Sequence, residues 1–315
     1  MSAKAEVSRP ERLALLSRRV ILVTGKGGVG RTTTTAALAR ACARAGRRVL
    51  IAEIGDPESG WSPLARLYGR EQLPEDPTPL ERGVDGCLLW ATKGHGMFAE
   101  KMLPVGALAR AAMKSKALER LLDAAPSFQE MGVFYHFLGL VKQQRSGGAP
   151  MWDTMIVDMP ATGHTLALTG LPTVLLRLMP TGPIAELLRE GQAYLNNPKQ
   201  TACFVVTLPE TLPVTEALEL IDGLRETNMH VGAVVVNKVV EDVFSPQERA
   251  WLAERLQGRA VFGATRFLTM AEIERSMERL RRSVGVPAWQ IPEFGSMGDA
   301  LIQDVSNALL PGGAP

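Results

Sequence analysis

The nine residues Gly25-Lys26-Gly27-Gly28-Val29-Gly30-Arg31-Thr32-Thr33 combine four glycines, two cations and two hydroxyls. Glycines at this density let successive backbone N–H groups turn inward around an anion. Cations and hydroxyls at the rim of such a loop suit phosphate oxygens and a divalent metal. An apolar run, Arg19-Val20-Ile21-Leu22-Val23, precedes the loop, and a helix-like run from Thr34 to Ala45 follows it. Strand, glycine loop and helix N-terminus in that order concentrate positive potential at one point, so the implied ligand is a nucleotide polyphosphate. The spacing from Gly25 to Gly30 fits GxxxxGK(S/T), except that Arg31 stands at the lysine position and a second cation, Lys26, follows the first glycine.

Carboxylates and amides recur where other apolar runs end. Asp56-Pro57 opens a loop after the run Arg47 to Ile54, and Asp153-Thr154-Met155-Ile156-Val157-Asp158 reads as a strand ending in an acid. In an open α/β sheet the ligand lies at the C-terminal strand ends, so Asp56 is expected to face the phosphate site and Asp158 to hold the water shell of Mg²⁺. Asn237 ends the strand-like run His230 to Val236, and its amide offers both a donor and an acceptor. Pro292 and Phe294 follow the last strand candidate, Val286 to Ile291.

In this order the stretches resemble the ArsA/Get3 family of P-loop ATPases, whose deviant Walker A loop, KGGxGK(S/T), carries the early lysine also found in MinD, ParA and the nitrogenase iron protein. Asp56-Pro57-Glu58-Ser59 is similar to the family's DPAH switch I, with Glu58-Ser59 in place of Ala-His. Met159-Pro160-Ala161-Thr162-Gly163-His164-Thr165 is similar to its switch II, and the TGHT portion is absent from MinD and ParA proteins. The resemblance implies ATP and Mg²⁺ as ligands, contacted along Gly25, Lys26, Gly27, Gly28, Val29, Gly30, Arg31, Thr32 and Thr33. It further implies that Thr32 ligates the metal with Asp158 behind it, and that Asp56 orients the attacking water. Asp56, Pro57, Gly163 and His164 would be switch residues, Asn237 would bond adenine, and Pro292 and Phe294 would cover the base. Lys26 would reach the nucleotide of a facing subunit in a homodimer or a dimer with a paralogue. The implied activity is ATP hydrolysis that drives binding or targeting of a hydrophobic protein client. Arg31 keeps open an alternative, a weakly or non-hydrolysing nucleotide-binding scaffold subunit paired with an intact paralogue. Its planar head retains the charge but not the shape of an ammonium.

These residues require a mostly parallel, doubly wound α/β sheet of P-loop NTPase type with the motif loops at one edge. The expected organisation is an N-terminal tail or short helix over 1–18, an ATPase domain over 19–310, and a disordered tail at 311–315. Within the domain, 94–144 is rich in Ala, Leu and Met and reads as a helical insertion; Met97, Met102, Met113 and Met131 suit either an adaptable client groove or plain core. Beyond Leu171, two helical pieces divided near Pro180 and Pro183 are expected. At 315 residues, 22% charged, 46% hydrophobic and a net charge of +2, the composition indicates neither disorder nor nucleic-acid binding. Cys42, Cys87 and Cys203 are scattered and read as small buried hydrophobes of a reducing compartment, and the family's arsenite-pump duty is not expected. No apolar run reaches the roughly 20 residues of a membrane span, and Met1 to Arg18 lacks a signal-peptide core, so a cytoplasmic protein without a stable membrane anchor is expected.

Overall fold

The computed structural model describes residues 8–55, 57–102, 128–160, 162–178, 180–240, 243–256, 258–259 and 264–310. Among the described residues eight strands form one sheet, in the order β3-β4-β2-β5-β1-β6-β7-β8. They are β1 (Val20–Gly25), β2 (Val49–Ile54), β3 (Thr78–Glu81), β4 (Val84–Leu89), β5 (Thr154–Asp158), β6 (Thr201–Thr207), β7 (Val231–Val239) and β8 (Ala288–Pro292). Every neighbouring pair is parallel except β3–β4. The fold is therefore the mostly parallel α/β architecture expected. β3, an antiparallel edge strand, was not foreseen; its residues Thr-Pro-Leu-Glu are only partly covered and carry no apolar run.

Helices cover both faces, which is why the central strands are continuously apolar rather than alternating. Ile21, Val23, Val49 and Ile51 face a core shared with α2 (Arg31–Arg44), α3 (Pro63–Leu67) and α11 (Gly298–Leu309). Val20, Leu22, Leu50 and Ala52 face the opposite core, shared with α5 (Phe128–Val141), α6 (Thr162–Leu178), α7 (Pro183–Leu195) and α8 (Thr211–Glu226). The remaining helices among the described residues are α1 (Arg9–Leu16), α4 (Ala91–Met102), α9 (Pro246–Leu256) and α10 (Ala264–Val284). Among the described residues no helix is long and apolar enough to cross a membrane.

The short helix allowed for in 1–18 is present as α1; its Leu16 is buried and its Arg12 stacks on Trp289 and donates to the carbonyls of Ala308 and Leu309, so α1 is fastened to the end of α11. β4 stops at Leu89, and α4 begins at Ala91. The TGHT sequence, expected in a loop, forms the first turn of α6, which starts nine residues before the helix read from Leu171 and continues through Pro172.

The described part of 94–144 divides between α4 and α5. α5 is apolar on all sides, with Phe134, Phe137, Leu138, Leu140 and Val141 buried, and is a central core helix rather than an exposed groove wall. The helices α4 and α5 approach closely at glycines: a Cβ on Gly94 would lie 1.8 Å from the Gly132 carbonyl oxygen. Met97 and Met131 pack onto this core. Residue 113 and the rest of 103–127, like the tail at 311–315, lie outside the described residues.

Candidate functional site

β1 runs into the glycine loop and α2 leaves it, with Gly30 as the helix N-cap residue. Two glycines are demanded by their surroundings. A Cβ on Gly25 would meet the Val206 carbonyl oxygen of β6 at 2.2 Å, and one on Gly30, at φ +93°, would meet Asn237 Nδ2 at 2.3 Å. By contrast, Gly27 and Gly28 are exposed, with open space where a Cβ would stand. The loop leads into the α2 N-terminus, whose first N–H groups have no partner within the helix and suit an anion. The residues present therefore fit a polyphosphate.

Asn237 sits in β7 and is buried; its Nδ2 donates to the Val29 carbonyl at 2.9 Å. The side chain expected at adenine thus holds the back of the loop through one of its two amide hydrogens. Pro292, in β8, is exposed and pairs in register with Val239, while Phe294 is half-buried against the α2 side of the core.

The two residues expected at the metal meet directly. Thr32 Oγ1 donates to Asp158 Oδ2 at 2.7 Å, and Asp158 Oδ1 is buried with no hydrogen-bond partner among the described residues. An orphaned carboxylate oxygen is costly in a folded interior, and a hydroxyl with a carboxylate is a hard-oxygen set of the kind Mg²⁺ takes. The residues fit that metal. Burial pushes the Asp158 carboxyl above its ordinary range, opposed by the Thr32 hydrogen bond and the charge of Arg31.

Arg31 opens α2 and donates from Nη1 to the Met159 carbonyl at 2.5 Å, tying the glycine loop to the start of the switch II sequence. A second tie runs from Thr24 Oγ1 to Thr165 Oγ1 at 2.9 Å, and Thr165 in turn donates to the Pro160 carbonyl. The backbone of Gly163 and His164 lies on the first turn of α6 between these contacts. Lys26 is half exposed and ion-paired with Glu216 on α8. Pro57 opens a short 3-10 turn through Ser59, and Asp56 lies outside the described residues.

Two residues of the site were not singled out in the sequence. Glu53, at the tip of β2, is the register partner of Asp158 on β5, is buried, and accepts from Ser62 Oγ at 2.5 Å. Burial pushes its carboxyl up to about 7, with the Asp158 charge adding to the rise and the Ser62 bond opposing it. The available signal was an acid ending an otherwise apolar parallel strand, Val49-Leu50-Ile51-Ala52-Glu53. Glu216 had no comparable signal, being one of many acids on helix faces.

A glycine loop feeding a helix N-terminus, a metal-type hydroxyl–carboxylate pair and a parallel sheet with these elements at one edge define a P-loop nucleotide-binding protein. Residues 20–282 match the family described as the CobQ/CobB/MinD/ParA nucleotide binding domain, and the chain belongs to that family, within its ArsA/Get3-like part. It is 31% identical over 258 residues to the ATPase BagA of Mycobacterium tuberculosis, covering 80% of this chain and 74% of that one. It is 25% identical over 277 residues to an ATPase ASNA1 homolog of Trypanosoma cruzi, covering 70% and 74%. With the ATPase GET3 of Kluyveromyces lactis it shares 22% identity over 284 residues, covering 77% of each.

Proposed function

We propose that this protein is a Mg²⁺-dependent ATPase that closes a dimer around ATP and uses that closure to bind or target a hydrophobic protein segment. The observation that carries the ATPase reading is Asp158 Oδ1, buried beside Thr32 with no hydrogen-bond partner among the described residues, next to the glycine loop that opens α2. Mg²⁺ would be held by Thr32, with Asp158 on its water shell, and when bound it neutralises charge on the β- and γ-phosphates. The backbone N–H groups of residues 27 to 32 hold the phosphates, and Asn237 keeps the loop in the shape that presents them. Asp56 orients water, and Lys26, once released from Glu216, serves the nucleotide of the facing subunit.

Support for coupling to a client comes from Met159. Its carbonyl accepts from Arg31 at the nucleotide loop, and its side chain lines an apolar pocket with Phe134 and Phe137 of α5, Leu168 of α6 and Leu195 of α7. A nucleotide-driven shift of Arg31 therefore reaches the core helix of the 94–144 segment through one residue. Phosphate release measured on the wild type, Asp158→Asn and Asp56→Asn tests the reading. Mg²⁺-dependent turnover lost in both variants is expected; wild-type protein that binds ATP but releases no phosphate would favour the scaffold subunit instead.

A further inference from the structure

We propose that Glu53 and Ser62 are positioning residues of the hydrolytic site, forming a clasp that fixes both ends of the segment 54–61 to the tip of β2 beside Asp158. The inference rests on the ATPase reading for its catalytic consequence, and on geometry alone for the clasp.

The near end of the segment is the strand itself. Ile54 closes β2, in register with Leu89 of β4, and Gly55 N–H donates to the Leu89 carbonyl. The far end is Ser62, which is fully buried and caps α3: its hydroxyl oxygen accepts from Ala65 N–H at 3.1 Å while its hydroxyl donates to Glu53 Oε2. One hydroxyl thus joins the helix start to the strand tip and uses both its donor and its acceptor.

Strand packing alone does not call for an acid here. Val49 to Ala52 are apolar and fully buried, so an apolar residue would continue the pattern, and a buried carboxyl is costly unless it is hydrogen-bonded. Glu53 also lies on the α2 face of the sheet, the same face as its register partner Asp158. The clasp is therefore built beside the metal-type pair, and Asp56 belongs by sequence to the segment between its two ends. Exposed Trp61 immediately precedes Ser62 and stacks under Arg66, so the far end carries an optical reporter.

Reactive groups misplaced by about 1 Å lose up to about a hundredfold in rate while binding is kept, so loss of the clasp should lower kcat and spare KM. Ser62→Ala and Glu53→Ala should each lower kcat by about ten- to a hundredfold with KM within about twofold. The double variant should lose less than the two single losses combined, because the Glu53–Ser62 bond is already gone in each single variant. Ser62→Thr restores the hydroxyl and should recover most of the rate, and Glu53→Gln, which keeps an acceptor, should lose less than Glu53→Ala. Additive losses in the double variant, or a Ser62→Ala protein with wild-type kcat, would overturn the clasp.

A nucleotide-free readout separates this inference from the ATPase reading. Amide hydrogen exchange over 54–61 should be faster in Ser62→Ala than in the wild type and near wild-type in Ser62→Thr, with α5 unchanged in all three. If the wild type proves unable to hydrolyse ATP, the ATPase reading fails and the exchange comparison still decides the clasp. Equal exchange over 54–61 in the wild type and Ser62→Ala would dispose of it.

Discussion

Arg31 faces two demands at once. Its guanidinium is engaged with the Met159 carbonyl, whereas a lysine ammonium at that position would be free to sit on a phosphate oxygen. Backbone amides hold ATP in ground and transition states alike, but a loop cation is most useful when charge moves onto the β,γ-bridging oxygen. Arg31→Lys should therefore raise kcat with little change in nucleotide affinity. Recovering one transition-state donor corresponds to about 2–4 kcal/mol, or on the order of 10²- to 10³-fold. Steady-state phosphate release measures this, and an unchanged rate would show the arginine to be a neutral substitute. Asn237→Ala should act differently: removing its bond to the Val29 carbonyl frees the loop, so nucleotide affinity should fall along with rate. The meeting of Thr32 with Asp158 beside the glycine loop was legible in the sequence because both stand at or just after strand ends that a parallel sheet brings to one edge. Glu53 and Ser62 were not, since their pairing depends on how β2 and α3 meet in space, which no local spacing encodes.

At the scale of elements, α5 takes the plain-core alternative that the sequence left open. Alanine, leucine and methionine in 94–144 correctly signalled helix, but composition does not tell a groove wall from a core helix, and the apolar circumference of α5 places it in the core. Its His136 is buried, accepts from Trp90 N–H at 3.3 Å, and has its pKa pushed down to about 4, first by burial and then by the charge of Lys93. The folded pKa lies below the unfolded one, so the neutral ring's contribution is fully present above about 6.5 and is lost as pH falls toward 4, by up to about 3 kcal/mol. Glu53 runs the opposite way over an overlapping range: its folded pKa of about 7 exceeds the unfolded value, so its contribution is lost as pH rises. The two slopes offset one another in the wild type. The informative quantity is the difference between wild type and His136→Asn in urea midpoints from pH 7 to 4. That difference should shrink as pH falls, and a constant difference would contradict a neutral buried His136. The close crossing at Gly94 and Gly132 gives a simpler expectation, since Gly132→Val has no room against the Ala91 carbonyl and should lower Tm strongly.

For the whole molecule, the mostly parallel sheet and the motif edge were legible because parallel strands place their C-terminal ends on one side. The edge strand β3 and the docking of α1 against α11 were not, because both depend on contacts between distant parts of the chain. Lys26 makes its ion pair with Glu216 within one chain, across a surface where such pairs contribute little, so it is easily surrendered to a phosphate of a second copy. ATP should therefore shift sedimentation toward a dimer in the wild type, and Lys26→Ala should bind ATP yet dimerise less; equal dimer fractions would remove Lys26 from the interface. Hydrogen exchange with and without nucleotide should change in α4 and α5 together with the switch II turn if client and nucleotide sites are coupled, and flat protection there would argue against coupling. The most direct measurement of the central claim is titration of a fluorescent ATP analogue into the wild-type protein with and without Mg²⁺. Saturable binding, displaced by ATP, strengthened by Mg²⁺ and losing that strengthening in Asp158→Asn, is the expected result. The absence of any saturable, ATP-displaced signal up to millimolar nucleotide in both conditions would contradict it.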